Sequence, residues 1–343
     1  MENGLTYDPN NSEGLPVTRI ETISDRSINY KRVGYAKDDG KLSKYKMEPG
    51  DILFSHINSL KHIGKTAYYD GEHPLYHGMN LLLLRTTNEE SARFLFYQLN
   101  TSRFLHRCQV LANQAVNQAS INTRELKGIT LHKPSIKEQI KIADFISLLD
   151  NHIATQIKII EKLESLIKGL CQKLTQQDYP NTALNETLVC YSSTLQESLV
   201  QEAGDYPVYG ATGVCGYTDT PEVDGDSILI IKDGASVGVT YYASGRYSAI
   251  GTLNRLVAKR GYSLRYLYYC LKVFNFAPYR IGLAIPHIYF RDYGKAKVWC
   301  PSLDEQQRIA DALSKVEQKI TIEKSLLEQL YSQKRFLLQA MFI

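Results

Sequence analysis

Residues 134–175 read PSIKEQIKIADFISLLDNHIATQIKIIEKLESLIKGLCQKLT, and residues 301–342 read PSLDEQQRIADALSKVEQKITIEKSLLEQLYSQKRFLLQAMF. The two stretches align without a gap at a separation of 167 residues, which is close to half of the 343-residue chain. A repeat with so long a period predicts that one architectural unit occurs twice in the chain.

Both copies begin with the signature of a helix N-terminus. Pro134 and Pro301 end the preceding segments, and Ser135 and Ser302 follow as candidate N-cap residues. A glutamate stands three residues after each serine, at positions 138 and 305, which completes the S-x-x-E capping box. We therefore predict that a helix starts at the same place in each copy.

Behind each cap, apolar residues recur with the 3–4 spacing of a heptad over about four heptads, which is typical of a coiled coil. Both copies have a polar residue at one shared seam position, and such a residue costs stability while it fixes register. Lys334 interrupts the seam in the second copy alone. The predicted seam residues are Leu149, Ile153, Gln156, Ile160 and Leu163, and then Val316, Ile320, Glu323, Leu327 and Leu330, with Gln156 and Glu323 as the shared polar position.

The simplest assembly of these helices is an antiparallel pair within one chain. About 30 heptad residues in each helix span roughly 45 Å at 1.5 Å per residue, so the pair would hold two globular units apart. The alternative is that each helix pairs with a helix of a partner chain.

The segments before the two helices also resemble each other. Residues 50–53 (GDIL) correspond to 225–229 (GDSIL), and residues 121–125 (INTRE) correspond to 288–292 (IYFRD). Short apolar runs bounded by turn residues predict strands at 50–57, 80–87, 225–234 and 254–260. Helical spacing near a serine predicts helices at 90–107 and 263–274, whose aromatic residues Phe94, Tyr97, Tyr266 and Tyr269 we assign to the core.

These patterns predict an α/β fold class of the α+β type. Two similar mixed globular domains are separated by a two-helix antiparallel coiled coil, in a pseudo-two-fold internal repeat. No apolar run approaches the roughly 18–20 residues of a membrane span, and the N-terminus lacks the features of a secretory signal. Six scattered cysteines without a CxxC pair fit a reducing compartment, so we expect a cytoplasmic protein.

Charge is segregated along the chain although the net charge is only +4. Residues 255–297 contain nine Lys or Arg and one acid, and residues 91–133 contain six bases and one acid. Residues 197–226 contain seven acids and no base. Positive faces of this kind suit the phosphate backbone of a nucleic acid, and an ordinary solvated surface is the alternative.

The sequence contains no complete motif for catalysis or metal binding. Residues 64–66 (GKT) lack the upstream glycine of a phosphate loop, because Ser59 stands in its place. His73 and His77 lie in a loop with no third ligand in register, so we predict no metal site. No nucleophile elbow, zinc-protease motif or amino-methyltransferase motif occurs, so we predict no catalytic residue.

The doubled motif Pro-x-x-x-Glu-Gln-x-x-Ile-Ala before a coiled coil resembles the specificity subunits of type I restriction-modification systems. Residues 206–217, YPVYGATGVCGY, and residues 14–19, GLPVTR, are similar to openings of the target-recognition domains of that family. The resemblance covers nearly the whole chain. It is carried by Pro134, Glu138, Gln139, Ile142 and Ala143 in the first copy, and by Pro301, Glu305, Gln306, Ile309 and Ala310 in the second.

The chain departs from the family pattern at its start. About ten residues that open the second half, Asn181 to Cys190, have no counterpart before the region that aligns with Met1. The first domain is therefore expected to lack its opening segment.

The resemblance implies two target-recognition domains, at 1–133 and 179–300, that each read one half of a split double-stranded DNA site. The helical spacers at 134–178 and 301–343 are implied to dock two modification (methyltransferase) subunits, to which restriction subunits join. The chain itself is then a non-catalytic subunit without a cofactor, because S-adenosylmethionine, ATP and Mg are used by the partner subunits. Since the two domains differ in sequence, we expect an asymmetric site.

Candidate DNA-binding residues follow from residue type and loop position. Lys and Arg bind phosphates, whereas Asn, Gln, Arg and His read base edges. In the first domain the candidates are His56, Asn58, Lys61 and His62 after the strand, and the amide run Asn113, Gln114, Asn117 and Gln118. In the second domain they are Tyr209, Thr212, Lys232, Asp233, Ser236, Arg280, His287 and Arg291. For any one amide of this run, the alternative is that its side chain only caps a helix or fills a turn.

Two other classes of function stay open at this point. A self-contained methyltransferase or nuclease is disfavoured by the missing motifs. A coiled-coil scaffold without a DNA role is favoured slightly by the weak net charge, but the clustered bases and the recognition-like openings oppose it.

Overall fold

The computed structural model describes residues 2–8, 10–24, 26–38, 40, 42–87, 89–115, 118–282 and 284–342. The chain divides into two compact units, which we name unit 1 (Met1–Thr155 with Leu327–Ile343) and unit 2 (Gln156–Leu326). Each unit contains a stretch of both long helices, and the domain limits at 133, 178 and 300 suggested by the sequence stay a prediction.

Unit 1 combines short strands with helices. Its strands are β1 (Glu2–Asn3), β2 (Leu15–Val17), β3 (Ile23–Ser24), β4 (Ser27–Ile28), β5 (Gly34–Ala36), β6 (Ile52–Phe54), β7 (Ile57–Asn58), β8 (Thr66–Tyr68), β9 (Leu82–Leu84), β10 (Asn113–Ala115) and β11 (Gln118–Ser120). Its helices are α1 (Ala92–Leu99), α2 (Ser102–Leu111) and α3 (Thr123–Lys127), followed by the start of the long helix α4 (Ile136–Thr175). Short 3-10 helices occupy Ile20–Thr22, Leu42–Tyr45 and Leu60–His62.

Unit 2 has a related set of elements. Its strands are β12 (Thr182–Ala183), β13 (Leu188–Ser192), β14 (Tyr206–Gly210), β15 (Gly213–Thr218), β16 (Val223–Asp224), β17 (Ser227–Ile231), β18 (Thr240–Ala243), β19 (Arg246–Ala249), β20 (Leu253–Ala258) and β21 (Lys297–Val298). Its helices are α5 (Leu184–Thr187), α6 (Leu264–Lys272) and α7 (Phe290–Tyr293), followed by the start of the long helix α8 (Leu303–Met341). Glu197–Leu199 and Ala277–Tyr279 form 3-10 helices.

The central sheet has the same topology in both units. Its order is β1-β9-β6-β8 in unit 1 and β13-β20-β17-β18 in unit 2, with antiparallel neighbours throughout. All residues of β6 and β17 are buried, as continuous apolar runs predict for central strands. The two-residue strand β1 occupies the sheet edge that β13 occupies in unit 2. The predicted fold class of two similar mixed units is confirmed.

The remaining strands form smaller sheets around each central sheet. In unit 1 these are the three-stranded sheet β10-β11-β7 and the pairs β2-β5 and β3-β4. In unit 2 they are the four-stranded sheet β15-β14-β19-β16 and the pair β12-β21.

The helix after each central sheet begins at a serine N-cap. The hydroxyl of Ser91 accepts the N–H of Phe94, and the hydroxyl of Ser263 accepts the N–H of Tyr266, at 3.3 Å in both cases. The four aromatic residues assigned to the core, at 94, 97, 266 and 269, are all buried. The single helix predicted at 90–107 is wrong, because the Thr101 hydroxyl accepts the N–H of Phe104 and thereby starts a second helix, α2.

The long helices α4 and α8 contain 40 and 39 residues and begin directly after the predicted serine caps. The Ser135 hydroxyl accepts the N–H of Glu138, and the Glu138 carboxylate accepts the N–H of Ser135 at 3.1 Å, which is a complete capping box. In the second copy the hydroxyl of Ser302 accepts the N–H of Glu305 at 3.4 Å, while the Glu305 carboxylate lies 3.0 Å from Arg308. The N-caps are confirmed in both copies, and the first has the reciprocal bond.

Within each unit, stretches of α4 and α8 run antiparallel and complete the core. In unit 1 Lys334 pairs with Asp150, while Ala143 lies in one apolar cluster with Leu338 and Phe342. In unit 2 the cluster contains Ile167 and Cys171 of α4 beside Ile309, Leu313 and Ile320 of α8. Among the described residues, no helix is long and apolar enough to cross a membrane.

Candidate nucleic-acid interface

A loop with the same hydrogen-bonded neck follows the central strand in both units. In unit 1 the N–H of Gly64 donates to the carbonyl of Ser55 at 2.9 Å, and in unit 2 the N–H of Gly238 donates to the carbonyl of Ile231 at 2.9 Å. Both glycines have a positive φ, 80° and 92°. A Cβ on Gly238 would lie 2.8 Å from the ring of Phe276, so this neck requires glycine. Because these loops carry candidate DNA-binding residues, we name residues 55–64 and 231–238 the recognition loops.

Each recognition loop also accepts a backbone hydrogen bond at one further equivalent position. The N–H of Ile121 donates to the carbonyl of His56, and the N–H of Ile288 donates to the carbonyl of Lys232, at 2.9 Å in both units. Both isoleucines are buried, and they stand 167 residues apart. His56 and Lys232 therefore occupy the same position in the two units, and the backbone around them is alike.

In unit 1 the sheet β10-β11-β7 brings the amide run to the recognition loop. Ala119 of β11 pairs with Gln114 on one side and with Asn58 on the other. Because side chains alternate along a strand, Gln114 and Asn58 share one face of this sheet, and Asn113 and Gln118 lie on the opposite face. The side chains of residues 113, 114 and 118 are exposed, and the predicted Asn117 lies outside the described residues.

The histidines of this loop differ in their surroundings. The Nδ1 atom of His56 is buried and has no hydrogen-bond partner among the residues that the structure describes. Burial, with repulsion from His77 as the second cause, lowers the pKa of His56. The ring of His62 bonds the Ser59 hydroxyl at 2.9 Å, and Lys61 beside it is exposed. Burial, followed by the nearby lysines, lowers the pKa of His62 too.

In unit 2 the recognition loop is joined to the segment before α7. Asp233 and His287 pair as a β-bridge, and the Asp233 carboxylate lies 2.7 Å from Nδ1 of the His287 ring. A carboxylate at Nδ1 holds the proton on that nitrogen and directs Nε2 away from it. Arg280 donates from Nη2 to the carbonyl of Val237 at 2.9 Å, and Ser236 in the same loop is exposed.

The other predicted residues of unit 2 lie apart from this loop. Tyr209 belongs to β14, where its ring packs edge-on against Tyr247 at 5.5 Å, and Thr212 is exposed in the turn between β14 and β15. Arg291 is exposed on α7, with its guanidinium 4.9 Å from the ring centre of Tyr289. The structure thus groups residues 232, 233, 236, 280 and 287, and it places 209, 212 and 291 on other elements.

The sequence analysis did not predict the role of the glutamine in the Glu-Gln pair that opens each long helix. Gln139 is buried; its Oε1 accepts the N–H of Ser91 at 3.0 Å and its Nε2 donates to the carbonyl of Pro134 at 2.9 Å. Gln306 does the same with Ser263 and Pro301, at 2.9 Å each. We name this contact the glutamine bridge; it ties the start of a long helix to the N-cap of the unit's own helix. The doubled Glu-Gln motif was its only sequence signal.

The predicted seam residues lie mostly on the packed side of the long helices. Leu149, Ile153, Gln156, Ile160, Ile320 and Glu323 are buried, whereas Leu163, Val316, Leu327 and Leu330 are partly buried. The two polar seam residues contact each other: Nε2 of Gln156 donates to the carbonyl of Glu323 at 3.0 Å and also to its carboxylate. Lys319 pairs with the same carboxylate. Lys334, which interrupts the heptad, is neutralised by Asp150 in unit 1.

Among the residues that the structure describes, no group of three or more His, Cys, Asp or Glu is arranged to hold a metal ion. His73 is exposed beside Tyr30, whereas His77 is buried and its Nε2 lies 3.0 Å from the carbonyl of Leu81.

Comparison with known families gives a match over most of the chain. Residues 4–165 and 191–332 match the family described as "Type I restriction modification DNA specificity domain". The curated "Putative type I restriction enzyme MjaX specificity subunit" of Methanocaldococcus jannaschii is 45% identical over 179 residues, which are 51% of this chain and 42% of that protein. The type I restriction enzyme EcoprrI specificity subunit of Escherichia coli is 26% identical over 128 residues, 37% of this chain and 31% of that protein. The chain therefore aligns with less than half of the length of these curated relatives.

Two solved structures share the fold. The S subunit of a type I restriction-modification system from M. genitalium has a TM-score of 0.61 at 20% identity and covers 96% of this chain and 93% of its own. A chain from a structure described as the basis of complex assembly and conformational transition of the type I R-M system has a TM-score of 0.59 at 14% identity, covering 100% of this chain and 95% of its own.

Proposed function

The chain belongs to the type I restriction modification DNA specificity family, and from this premise we propose that it is the DNA-recognition subunit of a type I restriction-modification complex. Each unit reads one half of a bipartite, asymmetric double-stranded DNA site. The observation that carries the proposal is the pair of recognition loops, which share a backbone arrangement and present different side chains at equivalent positions.

Two half-sites of different sequence require different base-reading side chains, and the two units present such side chains on the same backbone arrangement. Unit 1 presents His56 and amides, and Asn and Gln pair bidentately with the N6 and N7 edge of adenine. Unit 2 presents Lys232 and the Asp233–His287 pair at the equivalent place. A lysine favours the O6 and N7 acceptors of guanine. The two loops therefore favour different bases.

The basic segments supply the affinity that does not depend on sequence. The recognition elements of unit 2 lie within residues 231–291, which overlap the base-rich segment 255–297. Contacts from Lys and Arg to phosphates fix the position of a protein on the duplex, and they make binding steeply salt-dependent.

The long helices are the proposed docking sites for two modification (methyltransferase) subunits, to which restriction subunits join in the cytoplasm. Apolar side chains of α4 support this, because Phe145, Leu148 and Leu166 are about half exposed, at 47%, 55% and 49%. Phe145 and Leu148 are neighbours on one face of the helix, and a contiguous exposed apolar patch marks a surface for protein partners. S-adenosylmethionine, ATP and Mg are used by those partners, and this chain contributes recognition without catalysis. The length of the helices then sets the spacing between the half-sites.

Binding measured on the chain together with its modification subunit tests the proposal. We expect one sequence to be preferred by 10³-fold or more over random duplex, roughly the lower bound for specific complexes, and affinity to fall steeply with salt. A coiled-coil scaffold without a DNA role would show neither dependence. A self-contained methyltransferase would methylate DNA when the purified chain is assayed alone, and that result would also contradict the proposal.

A further inference from the structure

The backbone around His287 is held from two sides in unit 2. The N–H of His287 donates to the carbonyl of Ile281 at 2.7 Å, and the N–H of Ile281 donates to the carbonyl of His287 at 3.0 Å. On its other side His287 pairs with Asp233 as an antiparallel β-bridge. The next residue, Ile288, donates its N–H to the carbonyl of Lys232 at 2.9 Å. The main chain therefore fixes the place from which the His287 side chain extends.

Unit 1 forms the same pairing with different side chains. Ile57 pairs there with Ser120, next to the backbone bond that both units share. These two residues therefore occupy the places of Asp233 and His287. Because an isoleucine and a serine are sufficient for the pairing in unit 1, the pairing does not require a carboxylate and an imidazole. The contact between Asp233 and His287 is thus a feature of the surface that unit 2 presents.

The Asp233 carboxylate sets the hydrogen-bonding character of the His287 ring. Its Oδ1 lies 2.7 Å from Nδ1 of the ring. An ionised carboxylate only accepts, and a neutral imidazole has one N–H and one lone pair, so the N–H is on Nδ1 and the lone pair is on Nε2. Among the residues that the structure describes, none bonds Nε2, and 37% of the side chain is exposed. The ring therefore offers an acceptor to a ligand.

The lone pair on Nε2 selects among base edges. In the major groove adenine presents the amine N6 and cytosine the amine N4 as donors, whereas guanine presents the acceptors O6 and N7 and thymine the acceptor O4. An acceptor on the protein bonds an amine and is repelled by the oxygen atoms of guanine and thymine. Lys232, directly before Asp233, has donors only and suits guanine. The two neighbouring positions are therefore complementary to different bases.

We propose that His287 is a specificity-determining residue of unit 2, whose Nε2 accepts a hydrogen bond from the exocyclic amine of an adenine or a cytosine in the major groove. Asp233 is a positioning residue, because it holds the ring and its proton and acts on the DNA only through His287. The inference rests on the proposed function, and it adds the chemical class of one base that unit 2 reads.

Base analogues in the DNA test this contact on the chain assembled with its modification subunits. The half-site of unit 2 is found by exchanging residues 181–300 and mapping the methylated positions. At each adenine or cytosine of that half-site, the amine is replaced by hydrogen, which removes the donor and keeps the ring. Binding of each labelled duplex is followed by fluorescence anisotropy at about pH 8.5, which favours the neutral imidazole.

Three variants accompany the unmodified chain. His287→Ser introduces the residue that unit 1 has at this place, so the backbone pairing has a precedent in the same protein. Asp233→Asn removes the carboxylate and allows an amide to donate to Nδ1, which places the ring N–H on Nε2. Asp224→Asn is the matched control for charge, because it removes an exposed carboxylate on β16. Thermal melts verify that each variant is folded.

We expect the analogue at one position to weaken binding of the unmodified chain about tenfold, which lies within the range for a specific base contact. The same analogue should weaken binding of His287→Ser by less than about twofold, because the acceptor that it deprives of a donor is already absent. Asp233→Asn should reduce the penalty at that same position, and Asp224→Asn should leave it at about tenfold.

Equal penalties in the unmodified chain and in His287→Ser at every position overturn the inference. A penalty that Asp233→Asn and Asp224→Asn change alike overturns the role of Asp233 as a positioning residue. A half-site in which no base amine matters overturns the inference while the proposed function stands. Loss of all sequence preference in the unmodified complex would contradict the proposed function itself, and the inference with it.

Discussion

Removing one glutamine bridge is predicted to destabilise unit 2. In the variant Gln306→Ala the N–H of Ser263 and the carbonyl of Pro301 lose the partners that they contact at 2.9 Å. Gln306 is 1% exposed, and a buried group left without a partner costs about 1–3 kcal/mol. The missing side-chain atoms leave a void that adds to this cost. We expect a loss of about 3 kcal/mol in the free energy of unfolding.

Urea unfolding followed by the fluorescence of Trp299 measures this loss, because Trp299 is the single tryptophan and packs against the core of unit 2. Gln306→Glu keeps the acceptor for Ser263, but it buries a carboxylate against the carbonyl of Pro301, so we expect a loss at least as large as that of Gln306→Ala. The matched control is Gln307→Ala, whose side chain bonds Asp311 on the helix surface and whose loss should stay within about 0.5 kcal/mol. If Gln306→Ala and Gln307→Ala unfold at the same urea concentration, the glutamine bridge does not stabilise the unit.

Three further predictions concern the core, the recognition loop and the helices. Phe342→Ala removes a ring centred 5.0 Å from that of Phe94, and it should lower the free energy of unfolding of unit 1 by about 3 kcal/mol in urea. Phe336 is 67% exposed, so Phe336→Ala should leave that free energy nearly unchanged. Equal losses in the two variants would contradict the placement of Phe342 in the core. Because burial lowers the pKa of His56 below the unfolded value of about 6.5, stability should be constant above that pH and fall as the pH drops below it. In thermal melts across pH, His56→Gln should reduce this loss of stability at low pH, whereas the same change at the exposed His106 should not. If the pH profile of His56→Gln is unchanged, the lowered pKa of His56 is not the cause of the loss. Inserting one heptad into each long helix adds about 10 Å, and the spacer between methylated half-sites should lengthen by about three base pairs; an unchanged spacer would exclude a ruler role.

The repeated elements were predictable because their signals are local. Ser135 and Ser302 mark helix starts by sequence alone, and the runs at 52–54 and 227–231 are apolar enough to require central strands. The contact of Gln156 with Glu323 is consistent with the repeat, since the position at the midpoint of two antiparallel copies meets its own equivalent.

The surfaces that carry the candidate DNA-binding residues were less predictable because they depend on contacts between distant segments. The amides at 113, 114 and 118 have no apolar period, so nothing local indicates that β10 and β11 form a hairpin against Asn58. The ring of His287 is oriented by Asp233, 54 residues earlier, through a bridge that neither segment specifies alone. Tyr209 was predicted from residue type and loop position, but it lies on strand β14, and its ring packs on Tyr247 of the neighbouring strand β19.

The helix break at Asn100 shows how a cap overrides periodicity. Residues 90–107 keep helical spacing, yet Asn100 donates to the carbonyl of Phe96 and to Thr66, and Thr101 begins a new helix. The resulting helix α2 carries Arg103 and Arg107 to a groove of unit 1 that Leu131 and Phe342 also line, which the sequence did not indicate.

Exchange of residues 181–300 for the corresponding segment of a relative with another target site tests the central claim most directly. Methylated positions are mapped across a genome in cells that express the hybrid with its modification subunits. Two units that each read their own half-site predict that one half-site changes, while the other half-site and the spacer length stay the same. A hybrid that changes both half-sites, or that leaves both unchanged, would contradict the claim that each recognition loop reads its half independently.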